Sequence, residues 1–298
     1  MLDIDQRIRV AAISLLGLAE TPPDGTLVDS LSVILPAYNE QDNIVRAVMS
    51  AVEVLPELAH QWEVIVVDDG SSDLTAETAA SLVSEHYPNV RLLRHETNRG
   101  YGAAIRSGFS RARYNLVFYT DSDNQFDIGE LRYTLPIMRD ADVMVGFRVY
   151  RYDDPMRVVM SWAYNRLVRV LFRVRVRDVD CAFKVFRREV IDKISIETDN
   201  FFVDTELVAK ARKWNFRIVE KGVRHYPRSA GETTVSSSDI PNTLRVVFQM
   251  WQRIHRPTRA QMEAAAALRL EVEQVDLEFI PVGDPTGMNQ PLGAVTTN

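Results

Sequence analysis

Continuous runs of apolar residues alternate, over the first 120 positions, with stretches in which apolar residues recur at a helical period. The runs predict buried strands at residues 31–35, 64–67, 90–94 and 116–119. The helical period predicts helices at residues 40–54, 74–86 and 102–111. Buried strands separated by helices are typical of a mainly parallel sheet covered on both faces, so the predicted fold class is α/β.

The rhythm changes after residue 123, and the second half is expected to be mixed rather than doubly wound. The pattern there predicts helices at residues 128–138, 204–214 and 241–255 and strands at residues 142–147 and 217–221. We predict three parts of the chain: an N-terminal extension at 1–30, one α/β domain at 31–255, and a helix with a flexible tail at 256–298.

Composition narrows the class of protein. Of 298 residues, 46% are hydrophobic and 26% charged, which indicates a globular chain. The net charge of -6 argues against nucleic acid as a partner. Cys181 is the single cysteine, which favours a reducing, cytoplasmic setting. No signal peptide is recognised and no apolar window reaches the roughly 20 residues of a membrane helix, so any membrane contact is expected to be peripheral.

Two acidic side chains one residue apart, Asp121 and Asp123, directly follow the predicted strand at 116–119. Ligands of open α/β sheets collect at the carboxyl ends of the strands. Carboxylates, the amide oxygen of Gln125 and water are ligands that suit Mg²⁺ or Mn²⁺. An isolated pair of this kind is more often a solvated turn, so the neighbouring strand ends decide how it is interpreted.

The other strand ends also carry polar groups. The first runs into LPAYNE (residues 35–40), where Asn39 is predicted to cap the helix and Glu40 to complement its positive end. The second ends in VVDDGSSD (residues 66–73), whose paired acids can accept hydrogen bonds from a base or ribose. NRGYG (residues 98–102) is either a phosphate-binding loop or a tight turn. Neither a P-loop nor a GxGxxG dinucleotide motif is present.

Taken in order, LPAYNE, VDDGS and DSD resemble the family 2 glycosyltransferases of GT-A fold. The later segments DSDNQ, GFR, DVDCAFK, FVDTEL and RSAGET are similar to the dolichol-phosphate mannosyltransferase group. The resemblance covers residues 31–255. It implies a metal-dependent, inverting hexosyltransferase that moves a sugar from a nucleotide-diphosphate sugar of the GDP-mannose or UDP-glucose type to a polyprenyl or dolichyl phosphate.

The same resemblance implies roles for individual residues. The expected metal ligands are Asp121, Asp123 and Gln125. The expected catalytic residues are Asp121, Asp123, Arg148 and Arg228, with the two arginines meeting phosphate groups. The expected nucleotide-sugar contacts are Pro36, Tyr38, Glu40, Val67, Asp69, Asp121, Ser122, Asp123, Arg148 and Arg228.

The acceptor decides whether a general base is needed. A phosphate monoester has a second pKa of roughly 6 and is already an anionic nucleophile at neutral pH, so cations such as Arg177 or Lys184 would help to position it. The alternative is a soluble or saccharide hydroxyl acceptor, with Asp204 or Glu206 as base. A third reading is a non-catalytic nucleotide-sugar-binding protein. His225 is predicted to support a loop.

An arginine-rich segment runs from residue 148 to residue 177, with eight arginines and two acids. Its apolar residues at a helical period are Met156, Val159, Met160, Ala163, Leu167, Val170 and Leu171. This pattern predicts an interfacial helix on anionic lipid, the alternative being a helix packed on the sheet. We therefore expect a peripheral protein at the inner face of the membrane. The sequence leaves the oligomeric state open, including a homo-oligomer.

Overall fold

The computed structural model describes residues 26–85, 87–149, 155–227 and 240–257, with residues 261, 263–265, 267 and 268. Strands and helices alternate in the first half as predicted. The elements are β1 (Val28–Ala37), α1 (Ile44–Leu58), β2 (Ala59–Asp68), α2 (Thr75–Glu85), β3 (Val90–Arg94), α3 (Tyr101–Arg111) and β4 (Leu116–Thr120). Because β1 begins at Val28, the sheet takes in the last residues of the predicted extension. The rest of that extension, to residue 25, and the tail from 269 lie outside the described residues.

The second half contains shorter and more varied elements. They are α4 (Leu131–Thr134) between 3-10 segments Ile128–Glu130 and Leu135–Arg139, then β5 (Val143–Arg148), α5 (Pro155–Phe172), β6 (Phe183–Arg187), α6 (Arg188–Lys193), α7 (Val203–Lys213), β7 (Ile218–Val223) and α8 (Ile240–His255). The prediction of one continuous helix at 128–138 was wrong. Pro136 lacks the backbone N–H that a regular helix needs there.

The strands form one sheet in the order β3-β2-β1-β4-β6-β5-β7. The first four are parallel, β6 is antiparallel to both of its neighbours, and β7 is parallel to β5. The prediction of a mainly parallel sheet with a mixed second half is confirmed. The chain passes from β3 back across the sheet to β4, so the strand order reverses beside β1, and ligands of open sheets bind at such a switch point.

Strand β6 was not predicted, because a lysine interrupts its apolar run. The Lys184 side chain is fully buried. Its ammonium donates to the Cys181 carbonyl oxygen at 2.6 Å and to the carboxylate of Asp204 on α7. A buried charge is tolerated where a partner of opposite sign and hydrogen bonds compensate it.

The start of α1 also differs from the prediction. The helix begins at Ile44 rather than at residue 40, and Asn39 has a left-handed φ of 55°. Asn39 therefore does not cap α1. Its side-chain oxygen accepts a hydrogen bond from the Ser72 backbone N–H at 2.9 Å, which ties the end of β1 to the loop after β2.

Cys181 lies inside the sheet layer beside Gly146 of β5, where an added Cβ would stand 3.0 Å from the cysteine sulfur. The thiol is buried and unoxidised. Burial raises the pKa of the Cys181 thiol, and the charge of Asp178 raises it further. The residue therefore serves as a small packing group.

Candidate active site

Three strand ends meet at one edge of the sheet. The Asp69 backbone N–H donates to the Ala37 carbonyl oxygen at 2.9 Å, which joins the ends of β2 and β1. The Ser122 hydroxyl donates to the Pro36 carbonyl oxygen at 2.8 Å, which joins the loop after β4 to β1. The polar motifs that are far apart in the sequence therefore form one continuous rim at the switch point.

Asp121 and Asp123 lie at the centre of this rim. The Tyr101 hydroxyl donates to Asp121 Oδ1 at 2.8 Å, and Asp123 Oδ1 accepts from the Gln125 backbone N–H at 3.1 Å. Burial raises the pKa of Asp121 to about 7, and the nearby charge of Asp123 adds to that shift. Two carboxylates held this close disfavour each other's ionisation, and a cation between them relieves the repulsion.

The donor set fits a hard divalent cation. Among the residues that the structure describes, no group of three or more His, Cys, Asp and Glu side chains has the arrangement of a complete metal cage. A pair of carboxylates is what Mg²⁺ uses when substrate phosphates and water complete its octahedron. The pair at 121 and 123 therefore suits a cation that arrives with a diphosphate.

Gln125 contributes to the rim through a second contact. Its side-chain amide donates to the Tyr226 carbonyl oxygen at 3.1 Å, and the Tyr226 N–H donates to the Gln125 carbonyl oxygen at 2.8 Å. His225 next to it forms a bridge with Phe126 and packs edge-on against that ring, 5.1 Å between centroids. The expected loop-supporting role of His225 agrees with this placement, and the metal-ligand role of Gln125 stays a prediction.

Asp69 lies in a buried network of hydrogen bonds. Its carboxylate accepts from the backbone N–H groups of Arg99 and Gly100, at 2.9 and 2.8 Å, and lies 2.6 Å from His95 Nδ1. The residue is 3% exposed. It organises the loop before α3, and its contact with a nucleoside stays a prediction. Asp68 is fully buried, and burial raises its pKa above the ordinary value.

The first motif offers one large exposed group. The Tyr38 side chain is 43% exposed at the end of β1, whereas Pro36 and Val67 are buried and reach the rim through their backbone. Glu40 accepts from Asn43 Nδ2 at 2.6 Å, and its backbone N–H donates to the Thr75 hydroxyl at 2.8 Å. Among the expected nucleotide-sugar contacts, Tyr38 is the one with a ring open to stacking.

Comparison with known proteins decides the family. Residues 32–195 match the family model described as glycosyl transferase family 2, which is more than half of the chain. This chain belongs to glycosyl transferase family 2. The predicted resemblance to this family is confirmed.

Two curated relatives extend the comparison. Glycosyltransferase AglD of Haloferax volcanii is 32% identical over 275 residues, covering 88% of this chain and 44% of that protein. Dodecaprenyl-phosphate galacturonate synthase of Rhizobium johnstonii is 29% identical over 223 residues, covering 74% of this chain and 65% of that protein. The chain thus spans less than two thirds of the length of either relative.

A solved structure supports the fold. Glucosyl-3-phosphoglycerate synthase of Mycobacterium tuberculosis, crystallised with Mn²⁺ and UDP-glucose, superposes with a TM-score of 0.59. Sequence identity is 18%, and the alignment covers 78% of this chain and 81% of that one. The likeness establishes the shared α/β architecture of this family 2 chain.

The cations predicted to meet phosphate lie in different settings. Arg148 forms a two-pronged ion pair with Asp178, with nitrogen–oxygen distances of 2.6 and 2.8 Å, and 14% of its side chain is exposed. The guanidinium carbon of Arg177 lies 4.4 Å from the centroid of the Phe147 ring, near the carboxyl end of β5. Lys184 is buried, so its predicted phosphate contact was wrong. Arg228 lies outside the described residues.

The two acids considered as a base are buried on α7. Asp204 is 4% exposed and accepts from Lys184 and from the Tyr119 hydroxyl, the latter at 2.6 Å. Glu206 is 2% exposed and accepts from the backbone N–H groups of Glu197 and Thr198 and from Lys210. The structure contradicts a base role for either, because their oxygens hold structural partners away from solvent.

Sequence reasoning missed Tyr101, His95 and Ser107. All three lie in or beside the segment at 98–102, which was considered only for its glycines. The available signal was a tyrosine between two glycines at a helix start. Because glycines have no side chain, the tyrosine ring is the one large group that this part of the chain can present to the site. His95 gave none, because its partners are distant in sequence.

Proposed function

We propose that this chain transfers a sugar from a nucleotide-diphosphate sugar to a polyprenyl phosphate, with inversion at the anomeric carbon. The observation that carries the proposal is the Asp121 and Asp123 pair at the switch point of a family 2 sheet. The Rhizobium relative is a dodecaprenyl-phosphate galacturonate synthase, which supports a prenyl-phosphate acceptor for this chain. The Mycobacterium neighbour, crystallised with UDP-glucose, has the same fold.

The burial of Asp204 and Glu206 favours phosphate over hydroxyl as the acceptor. A hydroxyl needs a base to remove its proton, whereas a phosphate monoester with a second pKa of about 6 attacks without one. An oxygen of the lipid phosphate forms the bond to the anomeric carbon while the bond from that carbon to the diphosphate breaks. The nucleoside diphosphate leaves, and no proton has to move.

The residues of the rim divide the work of this step. Tyr38 stacks on the base, and Asp121 and Asp123 hold a cation, Mg²⁺ or Mn²⁺, with Gln125 as the predicted third ligand. When bound, such a cation neutralises the charge that develops on the departing diphosphate. Arg148 and Arg228 are the cations proposed for the acceptor phosphate. The fork of Arg228 suits a bidentate contact, whereas that of Arg148 is already paired with Asp178.

The proposed location is the cytoplasmic face of a membrane, with the sheet domain, from Val28 to the end of α8, as the catalytic unit. Within the described residues, no helix is long and apolar enough to cross a bilayer. We propose that contact with lipid is made by a surface of the catalytic unit.

Helix α5 supplies that surface, but only part of the predicted apolar set is exposed. Leu167 and Leu171 pack towards the core, whereas Val159, Trp162 and Val170 are 60%, 68% and 60% exposed. These three residues and Arg166 follow one another at intervals of three or four, so they share one side of the helix. An exposed tryptophan flanked by aliphatic residues and arginine is typical of an interfacial helix on anionic lipid.

Removing Arg166 is expected to weaken binding to anionic vesicles. One basic side chain near such a surface contributes about 1 kcal/mol, which corresponds to about a fivefold loss of partitioning for Arg166→Ala. Trp162→Ala is expected to weaken binding to the same vesicles by loss of its ring. Sedimentation with phosphatidylglycerol-containing vesicles measures both. Tyr133→Ala, which removes an equally exposed ring from α4, should bind like the unaltered chain. Equal binding of all four proteins would remove α5 as the lipid surface.

Transfer itself is tested with radiolabelled GDP-mannose and UDP-glucose against one short prenyl phosphate. We expect label in the organic phase with one of the two donors, and none after EDTA. Label that stays in the aqueous phase with a sugar acceptor would replace the lipid acceptor by a hydroxyl. Donor binding without turnover, measured by calorimetry, would indicate a non-catalytic binding protein.

A further inference from the structure

Tyr101 is the first residue of α3, and its side chain contacts the rim at Asp121. Its hydroxyl donates to Asp121 Oδ1 at 2.8 Å, and its ring packs against the core. The hydrogen bond fixes one oxygen of the carboxylate. Donors that hold a metal-binding side chain in this way set its orientation, and their removal typically lowers metal affinity.

A buried network holds the chain just before Tyr101. Asp69 binds the N–H groups of Arg99 and Gly100 and lies 2.6 Å from His95 Nδ1. The other ring nitrogen of His95 lies 2.9 Å from the hydroxyl of Ser107, six residues after Tyr101 on α3. The network therefore contacts α3 twice, through Asp69 just before its start and through Ser107 in its middle.

The loop at 196–200 also contacts α3, through a hydrogen bond and an ion pair. The Gly102 N–H donates to the Asp199 carbonyl oxygen at 2.8 Å, and Arg106 pairs with the Asp199 carboxylate at 2.6 Å. A Cβ added at Gly102 would stand 2.1 Å from the Thr198 carbonyl oxygen, which leaves no room for a larger residue. The surrounding backbone therefore requires glycine at positions 100 and 102, and Tyr101 between them carries the side chain of this segment.

We propose that Tyr101 is a positioning residue of the cation site, which holds Asp121 Oδ1 so that the other carboxylate oxygen faces the cation. This inference rests on the proposed function. The network of Asp69, His95 and Ser107 holds Tyr101 in place. The second motif of the sequence therefore acts on the cation through Tyr101, in addition to its predicted contact with the nucleoside.

The test is Mn²⁺ binding measured by electron paramagnetic resonance in the presence of UDP, and separately of GDP. Tyr101→Phe keeps the ring and removes the hydroxyl, and it is expected to weaken Mn²⁺ binding about tenfold. In transfer assays the Mn²⁺ concentration for half-maximal rate should rise by the same factor, with kcat at saturating Mn²⁺ retained. Ser107→Ala should move both values in the same direction by a smaller factor.

Tyr133→Phe removes an exposed hydroxyl of the same kind from α4 and should bind Mn²⁺ like the unaltered chain. Thermal melting of each variant separates a local effect from loss of the fold. Unaltered Mn²⁺ affinity in folded Tyr101→Phe would overturn the inference. Unaltered affinity in Ser107→Ala alone would overturn the part played by the network. If the unaltered chain binds no Mn²⁺ with either nucleotide, the proposed function fails instead.

Discussion

Replacing Asp123 by alanine is expected to lower the rate of sugar transfer about a thousandfold. The change removes one of the two carboxylates proposed to hold the cation. A metal ion contributes several kcal/mol of charge stabilisation to a departing diphosphate, and about 4 kcal/mol corresponds to a factor of about a thousand. The measurement is the initial rate of label transfer into prenyl-phosphate sugar at saturating donor.

The matched control is Asp140→Ala, which removes an exposed aspartate outside the rim. Its rate should equal that of the unaltered chain. Added Mn²⁺ should not restore Asp123→Ala, because a ligand is missing rather than misplaced. This separates it from Tyr101→Phe, which excess Mn²⁺ is expected to restore. Full activity in folded Asp123→Ala would exclude this residue from metal binding.

Replacing Asp204 by asparagine is expected to lower the free energy of unfolding by about 3–5 kcal/mol. The change leaves the buried Lys184 ammonium without its carboxylate, and breaking one partner of a buried ion pair has a cost of this size. The loss should appear as a lower midpoint in urea denaturation. A variant as stable as the unaltered chain would show that Lys184 loses its proton without penalty or finds another partner.

The double variant Asp204→Asn with Lys184→Met is the control. It removes both charges, so most of the lost stability should return, since apolar replacements of buried pairs are close to neutral. A transfer rate in the folded double variant close to that of the unaltered chain would agree with a supporting role for Asp204. Loss of kcat with stability restored would instead revive its role as a base.

The donor half of the fold could be predicted because its signals are local. Buried parallel strands are continuous apolar runs, and the strand at 90–94 has the predicted bounds. The order of the three motifs also placed Asp121, Asp123, Tyr38 and Ser122 at one rim, since carboxyl ends of neighbouring parallel strands meet at one edge.

Several of the differences share one physical cause, which is compensation between residues that are far apart in sequence. The Lys184 side chain is polar, and only its pairing with the distant Asp204 makes a buried strand possible there, so β6 was not predicted. The contacts of Asp69 with His95 and with the N–H groups of the next loop are likewise not visible in the sequence. On α5 the periodicity includes apolar residues on two sides of the helix, and only packing determines which side is left exposed.

The burial of Cys181 makes the chain convenient for chemical labelling. It is the single cysteine, and a thiol with a raised pKa, enclosed beside Gly146, carries little thiolate at neutral pH. A cysteine introduced at position 162 would then be the one thiol that reacts with a maleimide. A fluorophore attached there would report, through its emission colour, how deeply α5 enters a bilayer.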